Sequence, residues 1–204
     1  MIKKICSKII NKIVTRKYRK MVTATYTVKF NKGASVSLIY GANKNSVIID
    51  DYTSIYGRII CCNKAKLRIG KYSHFGPNSK IQCAENIHIG NFVIIAPNVT
   101  ITDNNTHPVN PLDRKIQQIT PQGDIKRSWL YTDSKPIYIE DNVWIGEHAR
   151  ICKGVTIGDN SIVAACAVVT KDVPANSIAA GNPARIVKTD LEKMPQKYFI
   201  GENF

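Results

Sequence analysis

The 204-residue chain contains no acidic residue before Asp50, so its charge is divided very unevenly. Of a formal net charge of +14, residues 1–49 carry +11 and residues 50–204 carry only +3. The basic character therefore belongs to the N-terminal quarter, where it suits a membrane surface, a polyanion or an anionic glycan. Because aromatic residues are not interleaved with this charge, we do not expect a nucleic-acid partner.

Cysteine pairs with the spacing of metal ligands or redox motifs are also missing. The six cysteines include no CxxC pair, and several fall at positions assigned below to β-helix walls, where cysteine is a small apolar residue. The first twenty residues alternate isoleucine with lysine, so they do not have the form of a cleavable signal peptide. We therefore expect a reduced, cytoplasmic setting and no metal ion.

Aromatic residues are scarce at 8%, whereas hydrophobic residues as a whole reach 44% and charged residues 22%. This composition is typical of a globular chain, and 204 residues provide one well-buried domain rather than two. Because Ile and Val recur at short intervals, the composition favours many short strands.

What the sequence does contain is a repeat of six residues. An α-helix needs apolar residues about 3.6 positions apart and a simple strand needs alternation, so a period of six fits neither. It fits a short strand plus a corner, repeated so that each aliphatic side chain points into a triangular core, and it predicts a parallel β-helix. The aliphatic series is Ile139, Ile145, Ile151, Ile157, Val163 and Val169, and a small or β-branched residue follows each one after four positions, at Val143, Ala149, Val155, Ser161, Ala167 and Val173.

The same register appears earlier, in runs that begin at Ile69 and Ile89 and in a looser series from Ile49. The step from Ile69 to Ile89 is two residues longer than three hexads, which predicts a small bulge near residues 83–87. Between Ile101 and Ile137 the hexads stop, and the segment is polar and rich in proline. Because so long a loop in a compact domain is usually functional or disordered, we interpret it as an excursion from the β-helix wall.

A resemblance to the hexapeptide-repeat acyltransferases is carried by the runs VWIGEHARICKGVTIGDNSIVAACAVVTKDVPANSIAAGNPARIV and IGNFVIIAPNVTIT. The resemblance covers residues 67–187 and is nearest to the galactoside, maltose and bacterial capsule or O-antigen O-acetyltransferases. It implies an all-β fold, namely a left-handed parallel β-helix with a long inserted loop and short helical or terminal extensions. It also implies acetyl-CoA as the acyl donor, a sugar or glycan acceptor and a homotrimer.

Three parts are expected along the chain: a basic amphipathic segment over 1–21, a β-helix acyltransferase domain over 22–187 with its active-site loop at 103–136, and a C-terminal tail over 188–204. In the first part, Ile2, Ile5, Ile9 and Ile13 fall on one helical face among Lys and Arg. The segment is too short and too charged to span a bilayer. It either lies on the anionic inner face of the membrane or caps the open end of the β-helix, and both interpretations stay open. The tail is expected to close the other end.

His107 stands at the start of the long loop, in the sequence THPV. The resemblance implies that it is the catalytic histidine. A sugar hydroxyl is a poor nucleophile until a base takes its proton, and imidazole, whose ordinary pKa is about 6.5, suits that task at neutral pH. We therefore predict that His107 is the general base for acetyl transfer.

Candidate acceptor residues lie close to His107 in the sequence or in the repeat. Asp103 and Asn105 are expected either to orient the imidazole or bind the acceptor, or else to be ordinary turn residues. The resemblance implies that Trp144 lines the active site, and a role in subunit packing is the alternative. Glu85 is a further candidate for binding the acceptor.

One departure from the resembling enzymes concerns the acceptor. Where galactoside and maltose acetyltransferases carry acceptor-binding Asn and Asp, this chain has Pro77 and Ala84. The acceptor is therefore expected to be held differently, and modification of a capsule, an O-antigen or another cell-surface glycan is the preferred interpretation.

The last coils are expected to bind acetyl-CoA. A small side chain such as Ala165 would let the pantetheine arm lie close to the backbone. The resemblance assigns Thr170, Lys171 and Arg185 to contacts with the cofactor, and Glu147 to the same group. Lys and Arg are both suitable partners for its phosphates.

Other function classes remain as alternatives. A xenobiotic or other small-molecule acetyltransferase and a non-catalytic β-helix scaffold are both compatible with the repeat. A γ-type carbonic anhydrase would need three histidines around zinc, and no second histidine follows His107 within the loop. That activity is therefore not expected.

Overall fold

The structure, a computed structural model, describes residues 2–62 and 64–197, with side chains from Lys8 onward. After an N-terminal helix, α1 (Ile2–Arg19), short strands wind into a prism whose three walls are parallel sheets. The chain visits the three sheets in turn, so neighbouring strands in a sheet belong to successive coils. This is the parallel β-helix that the six-residue period predicts.

The strands, numbered in chain order, divide among the three walls as follows. Sheet A consists of β1 (Thr23–Ala24), β4 (Val47–Ile49), β7 (Lys66–Ile69), β10 (Asn86–Ile89), β13 (Ile137–Ile139) and β16 (Thr156–Ile157). Sheet B consists of β2 (Lys29–Phe30), β5 (Ser54–Ile55), β8 (His74–Phe75), β11 (Ile94–Ile95), β14 (Trp144–Ile145), β17 (Ile162–Val163), β19 (Ile178–Gly181) and β20 (Ala184–Lys188). Sheet C consists of β3 (Ser35–Leu38), β6 (Arg58–Cys61), β9 (Lys80–Cys83), β12 (Thr100–Thr102), β15 (Arg150–Ile151) and β18 (Val168–Val169). Short 3-10 turns occur at Lys44–Ser46, Ile125–Arg127, Trp129–Tyr131 and Leu191–Lys193.

The core is built from stacked equivalent positions of successive coils. In sheet C, Ile81, Ile101 and Ile151 pair in register and are fully buried. The hexad positions predicted to point inward are buried throughout the series from Val143 to Val173. Because each Å² of apolar surface removed from water contributes about 25 cal/mol, these columns are a major favourable contribution to folding.

One corner of the prism shows how the chain turns between sheets A and B. Tyr52, Tyr72 and Phe92 occupy equivalent corner positions with φ between 55° and 60°, a region that bulky residues rarely adopt. Their rings stack, with centroids 4.9 and 5.3 Å apart. In later coils Asn142 and Asn160 take the same corner, and the amide of Asn142 donates to Asn160 at 2.9 Å. Stacking and amide ladders thus offset the cost of the left-handed backbone.

The length of a coil changes along the prism. Ile49 pairs with Ile69, and Ile69 with Ile89, at steps of twenty residues, whereas Ile139 pairs with Ile157 eighteen residues on. Between Ile69 and Ile89 the two additional residues lie in the corner between sheets C and A, after β9, where the sequence predicts a bulge. Cysteines cluster at this corner.

Those cysteines are wall residues, as expected. Cys61, Cys62 and Cys83 are buried, and burial raises the pKa of Cys62 to about 11. A thiol with so high a pKa stays protonated at neutral pH. Cys166, in contrast, is exposed at a corner. Cys6 lies outside the described side chains.

Both ends of the prism are covered by non-repeating segments. Helix α1 packs on the first coil, where the hydroxyl of Thr15 donates to the carbonyl oxygen of Phe30 at 2.9 Å and accepts from its N–H at 3.0 Å. At the other end, β20 turns back antiparallel to β19. The tail continues from there, and the N–H of Leu191 donates to the carbonyl of Asn176 at 3.0 Å. Residues 198–204 of the tail lie outside the described residues.

Candidate active site

The long loop over residues 103–136 leaves sheet C after β12 and returns to sheet A at β13. Its two ends are joined by backbone hydrogen bonds from Asn105 to Asp133, at 3.0 Å, and from Lys135 to Asp103, at 2.9 Å. Between them lies helix α2 (Pro111–Ile119), whose first N–H groups are capped by the side chain of Asn110. The loop is therefore a closed, folded excursion from the wall.

Asp103 anchors the root of this loop. Its carboxylate is fully buried and accepts hydrogen bonds from the N–H groups of Ala84 and Glu85, both at 2.8 Å, and from the amide of Asn104 at 3.1 Å. Burial raises the pKa of Asp103, and the backbone hydrogen bonds oppose that shift. The carboxylate thus ties the loop to the corner after β9.

Asn104 and Thr106 connect the anchored Asp103 to His107. The side chain of Asn104 is buried and accepts from the N–H of Thr106 at 2.8 Å. Thr106 has φ of 63°, which is costly for a β-branched residue and is held here by its surroundings. The residue directly before His107 is therefore fixed in an unusual conformation.

The imidazole of His107 has a single side-chain partner among the described residues. Its Nδ1 lies 2.6 Å from Oε1 of Gln117, which is buried on α2. In this orientation of the amide its oxygen accepts, so Nδ1 is the donor, and in the neutral ring Nε2 then carries the lone pair. Arg127 caps the end of α2 by donating to the carbonyl oxygens of Gln117 and Thr120. The helix that carries Gln117 is thereby held in position.

His107 faces a cleft of about 520 Å³ whose other lining residues are largely polar. Lys80 and Arg150 line it from outward positions of sheet C, one coil on either side of Thr100. Arg127 lines it from the loop. The described residues form three ion pairs, and none of them involves these cations. The cleft therefore presents positive charge next to the imidazole of His107. The full lining is Tyr40, Lys80, Gln82, Thr106, His107, Gln122, Arg127, Trp129 and Arg150.

Two of the remaining acceptor candidates lie at the root of the loop. Glu85 is exposed and accepts from the hydroxyl of Ser134 at 2.6 Å, and the amide of Asn105 donates to Asp133 at 3.1 Å. The structure brings both near Asp103 and the start of the loop. Their hydrogen-bond partners, Ser134 and Asp133, belong to the loop itself.

Trp144 stands apart from this group. It lies on β14 of sheet B, points outward and is 50% exposed, whereas His107 belongs to a loop on sheet C. It does not line the cleft of His107. Within one chain the two residues are on different walls of the prism.

The predicted cofactor residues divide between two places. Lys171 and Arg185 line a common cavity of about 140 Å³ near the last coil, and Thr170 precedes Lys171 at the same turn. Glu147 and Ala165 lie at the corner between sheets B and C, where Glu147 accepts from the amide of Asn98 at 3.2 Å. Neither place lines the cleft of His107.

Four of the residues around His107 were not predicted from the sequence. Nothing in a polar loop distinguishes Gln117 or Arg127 from their neighbours. Lys80 and Arg150 are different, because each directly precedes an inward hexad residue and so occupies the same outward row. The hexad register contains enough information to identify that pair.

The remaining histidines are not part of this site. His74 is half-buried on β8, where burial lowers its pKa, and His148 is at a corner with φ of 61°. His88 points outward from β10. Among the described residues, no group of three His, Cys, Asp or Glu side chains could hold a metal ion.

Comparisons with known proteins agree with this architecture. The family model described as bacterial transferase hexapeptide (six repeats) matches residues 136–171. The galactoside O-acetyltransferase of Escherichia coli (strain K12) is 38% identical over 135 residues, which are 66% of this chain and 60% of that protein. That of Lactococcus lactis is 40% identical over 123 residues, 57% of this chain and 53% of that protein. The match thus spans less than two thirds of the length of these relatives.

Solved structures extend the similarity to most of the chain. The polySia specific acetyltransferase NeuO superposes with a TM-score of 0.62 at 26% identity, covering 82% of this chain and 81% of that one. An N-acyltransferase, AntD, from Bacillus cereus, in complex with dTDP and coenzyme A, superposes with a TM-score of 0.64 at 20% identity, covering 85% and 86%. These findings confirm the resemblance to the hexapeptide-repeat acyltransferases and the left-handed, all-β helix.

Proposed function

We propose that this hexapeptide-repeat protein transfers an acetyl group from acetyl-CoA to a sugar hydroxyl, with His107 as the general base. The observation that carries the proposal is the hydrogen bond between Nδ1 of His107, a residue that lines the cleft, and Oε1 of Gln117, because it leaves Nε2 available as the base. The relatives named galactoside O-acetyltransferase support the reaction class. The neighbours solved with coenzyme A or acetyl coenzyme A support the donor.

The proton path needs only the imidazole of His107. Nε2 takes the proton of the acceptor hydroxyl while that oxygen attacks the thioester carbonyl. When the carbon–sulfur bond breaks, the imidazolium returns the same proton to the departing sulfur. Gln117 accepts from Nδ1–H throughout, so the ring keeps its orientation while Nε2 gains and loses the proton.

The last coils suit the phosphates of the donor. Lys171 and Arg185 line one cavity, so two cationic donors converge there. Ala165 lies next to Gly146 of the preceding coil. A Cβ atom on Gly146 would stand 2.5 Å from the backbone nitrogen of Ala165, so the two coils are closely packed there. Thr170 and Glu147 complete the set of residues that we assign to the donor.

We assign a homotrimer as the active assembly. Trp144 and the loop with His107 occupy different walls of one prism, so a site that contains both needs two copies. Phe92 and Ile94 are also large, apolar and half-exposed, and Ile94 pairs with Trp144 on sheet B. Contact between sheet B of one copy and the loop of the next is heterologous, and such contacts form a ring when the rotation between copies closes. A ring of three is the assembly that the resemblance implies.

The charge of the cleft favours an acceptor that carries a carboxylate or phosphate. Lys80, Arg127 and Arg150 line it, and no acidic side chain does. A capsule or other cell-surface glycan with acidic sugars meets this requirement, whereas a neutral galactoside would leave the cations unused. We assign Asp103 to positioning the loop that carries His107. We assign Asn105 and Glu85 to contacts with the acceptor.

The experiment measures release of free thiol from acetyl-CoA with a matched pair of acceptors, a neutral hexoside and the corresponding uronic acid. We expect acceptor-dependent turnover that falls about a hundredfold or more in His107→Ala. His88→Ala is the control, because His88 points outward from sheet A. Equal turnover by wild type and His107→Ala would refute the general-base role, and failure to bind acetyl-CoA would favour the scaffold interpretation.

A further inference from the structure

Helix α1 packs on the β-helix through a face that is partly apolar, with Val14 and Tyr18 against the core, and partly polar. The amide of Asn11 donates to Asn31 at 3.1 Å, Thr15 exchanges two hydrogen bonds with Phe30, and Arg19 donates to the carbonyl oxygens of Tyr26 and Val28. Asn11, Thr15 and Arg19 are spaced four residues apart, so they form one stripe along the helix. This stripe faces the first coil.

The opposite face of α1 is apolar at its centre. Ile9 and Ile13, one helical turn apart, are 54% and 63% exposed. Lys12, Arg16 and Lys20 flank them and are exposed as well. An amphipathic helix of a globular protein usually turns its apolar stripe toward the core. In α1, Val14 and Tyr18 pack toward the core, whereas Ile9 and Ile13 stay largely exposed.

The charges around these isoleucines are unopposed. No acidic residue occurs before Asp50, and the three ion pairs of the described residues lie elsewhere. Lys17, also exposed, lies over the ring of Tyr18. The outer face therefore combines exposed aliphatic side chains with cations of one sign.

We infer that the outer face of α1 docks on the surface of an anionic lipid bilayer. Ile9 and Ile13 enter the boundary between headgroups and acyl chains, while Lys12, Arg16 and Lys20 contact lipid phosphates. Docking parallel to the surface does not require the helix to cross the bilayer. Across the described residues, the structure contains no helix that is long and apolar enough to cross it.

Other occupants fit this face less well. A nucleic acid or an acidic polysaccharide would satisfy the cations but would leave the isoleucines in water. A second copy of the same face would cover the isoleucines but would bring like charges together. Of these occupants, only an anionic membrane surface offers both an apolar layer and negative charge. The inference does not depend on the reaction that the protein catalyses.

The test is cosedimentation of the full chain with vesicles at physiological ionic strength. One set contains phosphatidylcholine alone, and the other contains phosphatidylcholine with a minority of phosphatidylglycerol. We expect wild type to bind the anionic vesicles at least about tenfold more tightly than the neutral ones. The double variant Ile9→Gln, Ile13→Gln and the triple variant Lys12→Gln, Arg16→Gln, Lys20→Gln should each lose about tenfold or more in affinity. Gln is as good a helix former as the residues it replaces, so the helix itself is kept.

Two control variants carry the same kinds of substitution at other places in the fold. Ile125→Gln with Leu130→Gln removes two exposed apolar side chains from the loop, and Lys64→Gln with Lys71→Gln and Lys153→Gln removes the same charge from other coils. Both should bind as wild type does. Circular dichroism and the melting temperature should show that every variant is folded.

Several results would overturn the inference. Binding that survives both sets of α1 substitutions would move the contact to another surface. If the cation variant loses binding while the isoleucine variant keeps it, and a single-stranded oligonucleotide binds equally well, the ligand of this face would be a soluble polyanion. Self-association in light scattering that the isoleucine variant abolishes, without vesicle binding, would mean a second copy of this chain.

Discussion

Nδ1 of His107 lies 2.6 Å from Oε1 of Gln117, a buried side chain ten residues further on in the same loop. The contact joins the root of the loop to helix α2. An amide oxygen at Nδ1 favours the tautomer with the hydrogen on that nitrogen, so the chemistry of His107 depends on how the loop is folded.

The first prediction concerns Gln117 as a positioning residue. Gln117→Leu removes the acceptor and should lower kcat about tenfold, the equivalent of one lost hydrogen bond, with KM little changed. Gln117→Glu keeps an acceptor but adds a charge that stabilises the imidazolium. More alkaline solution is then needed to free the base, so the acidic limb of the pH–kcat profile should move to higher pH. A profile that does not move in Gln117→Glu would mean that Gln117 only fills space.

A second prediction follows from the cations of the cleft. Lys80→Gln with Arg150→Gln should raise KM for a uronic acid acceptor at least about tenfold, because charge-assisted hydrogen bonds contribute about 1.5–3 kcal/mol each. KM for the matching neutral hexoside and for acetyl-CoA should stay within about twofold on the same argument. Arg58→Gln is the control, since Arg58 pairs with Lys80 in the same outward row but does not line the cleft. A selective rise in KM for acetyl-CoA would instead assign the cations to the donor.

The third prediction tests whether two copies build one site. His107→Ala and Trp144→Ala should each be nearly inactive alone. If subunits of the two variants are mixed and allowed to exchange, about a quarter of the interfaces should combine an intact histidine with an intact tryptophan, because each site takes one residue from each of two neighbours. Activity should recover to about that fraction. No recovery in verified mixed trimers would mean that the two residues do not serve one site across an interface.

Burial of Asp103 gives a fourth prediction, on stability and pH. Its pKa is raised in the folded protein above the ordinary value of 3.8, so the folded state binds the proton more tightly than the unfolded state. The associated stability is present below pH 3.8 and is lost as the pH rises toward the folded pKa. Asp103→Asn should remove this decline from the free energy of unfolding, measured by urea titration across the acidic range. An unchanged pH dependence in the variant would assign the decline to other groups.

The close packing of coils supplies a fifth prediction. A side chain at Gly70 would stand 2.5 Å from the backbone of Gly90 in the next coil. Gly70→Ala should therefore lower the free energy of unfolding by about 1–3 kcal/mol or more, because the backbone cannot move away as a flexible side chain could. Lys71→Ala, at the neighbouring exposed position, should change it by less than about 0.5 kcal/mol. Denaturant titration of both variants measures the difference. Equal free energies of unfolding would show that the backbone at this corner can shift at little cost.

The expectations about the N-terminal segment illustrate what a pattern leaves open. The spacing of isoleucines in the sequence is compatible with a helix that caps the β-helix or with one that lies on a membrane. In the structure the helix packs on the first coil through Asn11, Thr15 and Arg19, while Ile9 and Ile13 face outward. The two roles therefore use opposite faces of one helix, which the isoleucine spacing alone does not reveal.

The sequence by itself determined the β-helix, its inward columns and the point where the loop departs. This was possible because every coil repeats the same local geometry, so the period of the apolar residues is the period of the structure. Ile101 marks the last hexad before the loop and Ile137 the return to the wall, and both are fully buried.

Only the tertiary structure decided which residues surround His107. Lys80 and Arg150 are seventy residues apart in the chain, and they line the same cleft because the winding places them on one wall, one coil on either side of Thr100. Gln117 reaches the imidazole because the loop folds back through contacts that no repeat encodes. The conformation of the loop depends on individual interactions, such as those of Asp103 and Arg127, and not on a repeat. The sequence pattern therefore does not predict it.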